Sequence, residues 1–128
     1  MCLYKMNSNL ILLDSCISKT NSHYDIAKFI HDCIKDIYFY NNNDGLWYFK
    51  NDSNDSKITT VDSLKFFIKS SIVNQFISRS LYYSNLEESN SDIKEQYSIK
   101  AVILLKLANN LKNDKFIKDV IKELKQFF

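Results

Sequence analysis

The chain has a single glycine, Gly45, and no proline among its 128 residues. Glycine enters left-handed backbone conformations without steric cost, and proline presets the backbone of many tight turns. The chain therefore has almost no dedicated turn residues. Gly45 follows Asp44 and separates two aromatic runs, IYFY (37–40) and LWYFK (46–50). Asp-Gly between two such runs predicts a β-hairpin over 37–50, with Gly45 at the reversal.

Most of the remaining sequence has helical periodicity. Apolar residues recur three and four positions apart in four segments, 23–36, 59–83, 92–111 and 114–127. The predicted start signals are Ser22 with Asp25 for the first segment, Thr60 or Asp62 for the second, and Asn113 for the last. We therefore expect a mainly α domain over 21–128, with four helices and one β-hairpin inserted after the first helix.

Two stretches lack this periodicity. Residues 1–20 are interpreted as a strand or a loosely docked N-terminal arm, and 51–57 as a polar loop.

Within the helix predicted over 92–111, one apolar face is expected to point to the core, formed by Ile93, Tyr97, Ala101, Leu104, Leu105, Ala108 and Leu111.

Composition is that of a folded chain, with 45% hydrophobic and 25% charged residues. The formal net charge of +2 is too small to indicate a general polyanion binder by itself. Cys2, Cys16 and Cys33 are an odd, widely spaced set, so we expect thiols in a reducing compartment. The apolar run at 9–13 is too short to span a membrane, and the expected location is intracellular and soluble.

Several kinds of catalytic or cofactor site are excluded or disfavoured. A phosphate-binding P-loop needs two glycines and a dinucleotide-binding fingerprint three, and the chain has one. His31 and Cys33 are two positions apart on a predicted helix and point to different sides, so neither a metal site nor a Cys–His pair is expected. The carboxylate pairs of the loops, Asp52 with Asp55 and Glu87 with Glu88, lack an apolar setting. We expect no active site, cofactor or metal within this chain.

A basic stripe is the first candidate binding feature. Lys115, Lys118, Lys122 and Lys125 are spaced three, four and three apart on the last predicted helix, and Lys112 precedes them. Lysines on one helix face can hold nucleic-acid phosphates through counterion release. Asp114, Asp119 and Glu123 dilute the stripe, and an ordinary solvated helix face is the alternative interpretation.

The aromatic hairpin is the second candidate. Tyr38, Tyr40, Trp47 and Tyr48 are rings on predicted strands, and such rings stack on bases in proteins that bind single-stranded nucleic acids. The alternative is that they attach the hairpin to the helices or fill a partner's pocket. Tyr40, Trp47 and Tyr48 are the candidate interaction residues.

Four segments together resemble one protein family: DIAKFIHDCIKDIYFY (25–40), GLWYFKND (45–52), DSLKFFIKSSIVNQFI (62–77) and LLKLANNLKNDKFIKDVIKELKQFF (104–128). Their order is similar to that of the helical domain just before the superfamily 3 helicase in primase–helicases of large nucleocytoplasmic DNA viruses and of related phage and plasmid primases. The resemblance covers about residues 24–128. The family usually has a second Trp near the hairpin, whereas Trp47 is the only one here.

The resemblance implies a non-catalytic domain that connects primase to helicase and takes part in ring assembly or DNA contact. Trp47, Phe116 and Phe127 match patterned family positions and are expected to be structural. No ATPase motif or primase carboxylate set is present, so the expectation is an excised domain or a short open reading frame. DNA and helicase or primase subunits are the expected partners, no membrane is expected, and oligomerisation stays open. The alternative function is a stand-alone protein–protein interaction module of viral origin, with exposed Phe127 and Phe128 as its docking surface.

Overall fold

The segments with helical periodicity form helices in the structure. A computed structural model describes residues 3–18, 23–50 and 55–128. The α-helical segments are α1 (Leu3–Ser18), α2 (His23–Ile34), α3 (Val61–Phe67), α4 (Val73–Ser84), α5 (Ser91–Asn110) and α6 (Asp114–Leu124). The strands are β1 (Tyr38–Asn41), β2 (Leu46–Lys50) and β3 (Ser56–Thr59). The mainly helical class predicted from the sequence is confirmed.

α3 and α4 are parts of one continuous helix. A π-helical turn, Ile68–Ile72, joins them, so the described residues contain five helices. Thr60, one of the two predicted N-cap residues, caps the start of α3. Its side chain accepts a hydrogen bond from the backbone N–H of Ser63 at 3.0 Å. The π-helical turn contains one residue more than an α-helical turn. Within it, the Ser70 hydroxyl donates a 2.8 Å hydrogen bond to the Phe66 carbonyl oxygen. The single helix predicted over 59–83 is therefore present over 61–84 with a local change of pitch, whereas Thr59 lies in β3.

α1 is the helix that the sequence did not predict. The expectation of a strand or a loose arm for 1–20 is wrong, because Leu3–Ser18 is helical and its Leu13 and Cys16 side chains are buried. Asp14 between them accepts two hydrogen bonds from Arg79 of α4, at 3.0 and 2.7 Å. These contacts are tertiary, so the local sequence pattern carries little sign of them. The predicted cap at Ser22 lies outside the described residues.

The core is built by pairs of helices. α5 packs mainly on α4, α6 on α2, and α2 also on α1. Ser80 of α4 is buried and donates a 2.7 Å hydrogen bond to the Ala101 carbonyl oxygen of α5, which satisfies its hydroxyl inside the core. In α5, Leu107 is buried, whereas Leu105 is 46% exposed, so the assignment of Leu105 to the inner face is wrong. The largest fully buried side chains are Phe29, Phe76, Leu13, Ile26, Ile30, Ile34, Leu64, Ile68, Ile72, Leu104, Leu111 and Ile117.

The hairpin forms as predicted, and a third strand extends it. β1 and β2 pair antiparallel with Tyr40 opposite Trp47, and Gly45 has the positive φ of 71° that the reversal requires. β3 pairs antiparallel with β2, placing Thr59 opposite Trp47. The prediction of a single hairpin, with 51–57 as a loop, is therefore incomplete. Most of β3 is exposed, so no alternating apolar pattern marked it in the sequence.

Phe127 and Phe128 pack against α2 and the sheet. After α6, a 3₁₀ turn (Lys125–Phe127) leads to Phe128. The Phe127 ring stacks on His31 at a centroid distance of 5.6 Å, and Phe128 meets the Trp47 ring edge to face at 5.4 Å. The Asn42 amide also donates to the Phe128 carbonyl oxygen at 3.1 Å. Both phenylalanines are half-buried, in contrast to the exposed docking surface expected from the sequence.

Two exclusions can be stated for the described residues. Neither Cys16 nor Cys33 takes part in a disulfide there. Among the helices of that part of the chain, none combines the length and the apolar character needed to cross a lipid bilayer.

We expect Gly45→Ala to destabilise the fold by about 1–2 kcal/mol, because an L-residue pays that cost in the left-handed region. An added Cβ would meet only the Tyr40 hydroxyl oxygen at 3.7 Å, so the cost is in the backbone and not in packing. Gly45→Asn is the control, since Asn tolerates positive φ, and it should lose less. Urea unfolding measures both variants, and equal losses would show that Gly45 is not needed for its backbone freedom.

We expect the stability of the fold to fall as pH drops from about 7.5 to about 5.5. Burial lowers the pKa of His31, Lys35 lowers it further, and Asp32 opposes the shift. The unfolded chain then binds the His31 proton more tightly than the folded chain, so acidification favours unfolding. His31→Gln should show a smaller change in melting temperature over this range. If the wild type instead gains stability on acidification, cation–π attraction to the two phenylalanine rings outweighs burial.

Candidate nucleic-acid interface

The orientation of α6 is fixed at its start and along its apolar face. The Asn113 side chain caps the helix by accepting from the backbone N–H groups of Lys115 and Phe116, at 3.0 and 3.2 Å. The predicted cap is therefore confirmed. The side chains that bury the inner face are Ile117, Val120, Ile121 and Leu124. With this face against the core, Lys115, Lys118 and Lys122 are exposed on the opposite side.

Four of the five candidate lysines line one groove, hereafter the lysine groove. It has a volume of about 590 Å³ and is formed by Lys115, Lys118, Asp119, Ile121, Lys122, Lys125 and Val61 of α3. Lys112 lies in the turn between α5 and α6, where it is exposed and does not line the groove. The structure thus brings together the lysines of α6 and its following turn, with an apolar floor between them.

The acidic residues of α6 dilute the groove less than the sequence implies. Asp114 forms an ion pair with Lys69 of the π-helical turn at 2.6 Å, and this hydrogen bond lowers the pKa of Asp114. Glu123 does not line the groove; its carboxylate keeps its charge and accepts a 2.6 Å hydrogen bond from the neutral Gln126 amide. Asp119 is the acid that lines the groove, so its four lysines leave it with a positive formal charge.

The inner face of the sheet adjoins the groove through Tyr40. The Lys125 ammonium lies over the Tyr40 ring, 5.0 Å from its centroid, and the Tyr40 ring packs against Trp47 at 5.3 Å. Trp47 is only 3% exposed and contacts Phe128, so it joins the sheet to the end of the chain. Tyr38 is also buried. These rings attach the sheet to the helices, the alternative that the sequence left open, and Trp47 has no face open to a base.

The outer face of the sheet carries a second aromatic set. Phe39 and Tyr48 are cross-strand partners whose rings stack at 5.0 Å with an interplanar angle of 11°, and Ile58 lies opposite Tyr48 on β3. The Lys50 ammonium lies over the Phe39 ring at 5.4 Å. Tyr48 is therefore the one hairpin candidate on the solvent side. The sequence analysis missed Phe39 and Ile58. Alternation along 37–40 separates Phe39 from Tyr38 and Tyr40, but only the register of the hairpin places Phe39 beside Tyr48.

The Tyr48 hydroxyl is tied to the hairpin turn. It donates a short hydrogen bond to Asp44, whose other carboxylate oxygen accepts from the Leu46 backbone N–H at 2.9 Å. Donation to a carboxylate stabilises the protonated phenol, and this raises the pKa of Tyr48. Asp44 thus holds the ring in place beside Phe39.

Other polar side chains connect helices to one another. Asp14 accepts from Arg79 and also from the Tyr83 hydroxyl at 2.8 Å, which joins α1 to α4, and the hydrogen bonds to Asp14 raise the pKa of Arg79. Burial raises the pKa of the Cys16 thiol to about 12, so it is a poor nucleophile at neutral pH. Cys33 is half-buried, and its Sγ atom lies 3.9 Å from the Gln75 amide oxygen. Within the described ranges, no group of three or more His, Cys, Asp or Glu side chains could hold a metal ion.

Comparison with protein-family models and with curated proteins found no match to this chain. The candidate site therefore depends on its own geometry and on the resemblance of the four segments described above.

Proposed function

We propose that this chain is a non-catalytic accessory module of a viral DNA primase–helicase that contacts nucleic-acid backbone through the lysine groove. The observation that carries the proposal is the convergence of Lys115, Lys118, Lys122 and Lys125 on one groove. The resemblance of residues 24–128 to the domain that precedes the superfamily 3 helicase supplies the replication context.

The chemistry of the groove suits phosphates better than bases. Ammonium groups attract phosphate oxygens and displace condensed counterions, and this attraction carries no sequence information. Val61, which is 41% exposed, supplies apolar surface among the lysines, against which sugars can pack. Lysine can donate to a guanine edge, but the residues that line the groove include no Arg, Asn or Gln, the other side chains that read base edges through paired hydrogen bonds. Binding should therefore be independent of sequence and sensitive to salt.

A non-catalytic role fits the other clusters of the described residues. The Asp14–Arg79–Tyr83 cluster connects two helices, and the Cys16 thiol is buried. Neither borders the lysine groove. On this proposal the chain contributes position and charge to a larger replication assembly, while ATP hydrolysis and primer synthesis belong to other domains or subunits.

The salt dependence of DNA binding tests the proposal quantitatively. If each of the four lysines neutralises one phosphate of a single strand, affinity should fall about 50-fold between about 50 and 200 mM salt. Lys118→Glu/Lys122→Glu removes two of these contacts, so it should bind more weakly and lose only about 7-fold over the same range. Fluorescence anisotropy with labelled single-stranded and forked DNA measures both values.

Lys28→Glu/Lys94→Glu is the matched control, since it makes the same change in net charge at exposed lysines of α2 and α5. This control should keep the wild-type salt dependence. Undetectable binding at low salt would contradict the DNA-contact proposal, and so would equal effects of the two double variants.

The alternative function, a stand-alone protein–protein interaction module, now depends on a different surface. Phe127 and Phe128 are half-buried, but Ile58 is 64% exposed beside the Phe39–Tyr48 stack. This outer sheet face offers apolar and aromatic contact area of the kind found in interfaces. Co-purification followed by light scattering separates the two functions. A stable complex with a helicase or primase favours the accessory module, and a complex with an unrelated protein favours the alternative.

A further inference from the structure

α5 has two apolar faces, and the core covers only one of them. Ala101, Leu104 and Ala108 are buried, whereas Ile99 and Val102 are 52% and 54% exposed. This double pattern explains why the helix lacks the single apolar stripe of an ordinary surface helix. Isolated exposed aliphatic residues are normal on a protein surface, but two adjacent ones on one helix face can form a contact site.

The exposed stripe has charged residues of opposite sign at its two ends. Glu95, Ile99, Val102 and Lys106 are spaced four, three and four apart, so they lie on one face of α5. Both charged side chains are exposed, and neither forms an ion pair with another described residue. The face therefore carries an acidic end, an apolar centre and a basic end.

This order is symmetric about a point between Lys100 and Ala101. A second copy of α5 laid antiparallel about that point places Ile99 against Val102 of the other copy, and Glu95 against Lys106. The same two pairs then form twice, as a two-fold axis requires. A parallel arrangement would instead set Glu95 against Glu95 and Lys106 against Lys106, which is repulsive.

We infer that α5 is a self-association surface, through which two copies of this chain pair antiparallel about a two-fold axis near residues 100 and 101. The two apolar residues form the centre and the Glu95–Lys106 pairs fix the register. The contact is that of one helix pair and is smaller than a standard interface of about 1,600 Å², so the dimer is weak and depends on concentration. The inference does not depend on the lysine groove, which is on α6.

Sedimentation velocity of the whole chain, from about 1 µM to about 500 µM, tests self-association by its concentration dependence. We expect the wild type to shift from monomer to dimer over this range. Val102→Glu places a charge at the apolar centre of both copies and should stay monomeric throughout. Ile11→Glu, a similar change at an exposed aliphatic residue of α1, is the matched control and should dimerise like the wild type. A wild type that stays monomeric, or a dimer that Val102→Glu leaves intact, would overturn the inference.

Charge exchange tests the register and the direction of pairing. Glu95→Lys alone and Lys106→Glu alone should each weaken dimerisation about tenfold, because each sets like charges together twice. The variant with both changes should regain the wild-type dissociation constant. An equimolar mixture of the two single variants should also dimerise, since every facing pair is then opposite in charge. If the double variant is no stronger than the single ones, the antiparallel register is wrong.

Discussion

Burial of the apolar face of α6 is the interaction on which the candidate site depends. Ile117, Val120, Ile121 and Leu124 fix the rotation of this helix, and α6 packs mainly on α2. With that rotation set, residues three and four positions apart on the far side can only face solvent together. Burying these four aliphatic side chains contributes several kcal/mol, far more than the cost of gathering four exposed lysines. Core packing therefore positions the charges without needing attraction between them.

The sheet stabilises the same end of the molecule from another direction. Trp47 and Tyr38 are buried on its inner face, and Trp47 meets Phe128 edge to face. A small sheet is marginal by itself in water, so these contacts stabilise the sheet and the end of the chain together. Tyr40, between Trp47 and Lys125, connects this aromatic contact to the lysine groove. A substitution that shifts the sheet should therefore also shift Lys125 in the lysine groove, because Tyr40 packs against both.

Much of the fold could be predicted because local signals agreed with tertiary packing. Gly45 predicted the reversal, Asn113 the start of α6, and apolar spacing the helices in 23–36, 59–83, 92–111 and 114–127. The lysine stripe followed from the same spacing, since a helix with one apolar face must put its polar residues on the other.

The features that the sequence did not reveal depend on distant contacts. α1 is held by the Asp14–Arg79 pair, whose members are 65 residues apart, and β3 is defined by pairing with β2. The division of the aromatic rings between two faces depends on strand register, which composition does not determine. Val61 at the groove was also beyond local reasoning, because α3 and α6 meet only in the folded chain.

Backbone amide chemical shifts during titration with an unlabelled single-stranded oligonucleotide test the central claim most directly. The account predicts shift changes concentrated in residues 115–125 and at Val61, with little change along α5. Changes spread evenly over exposed lysines, or confined to the outer sheet face around Tyr48, would contradict it.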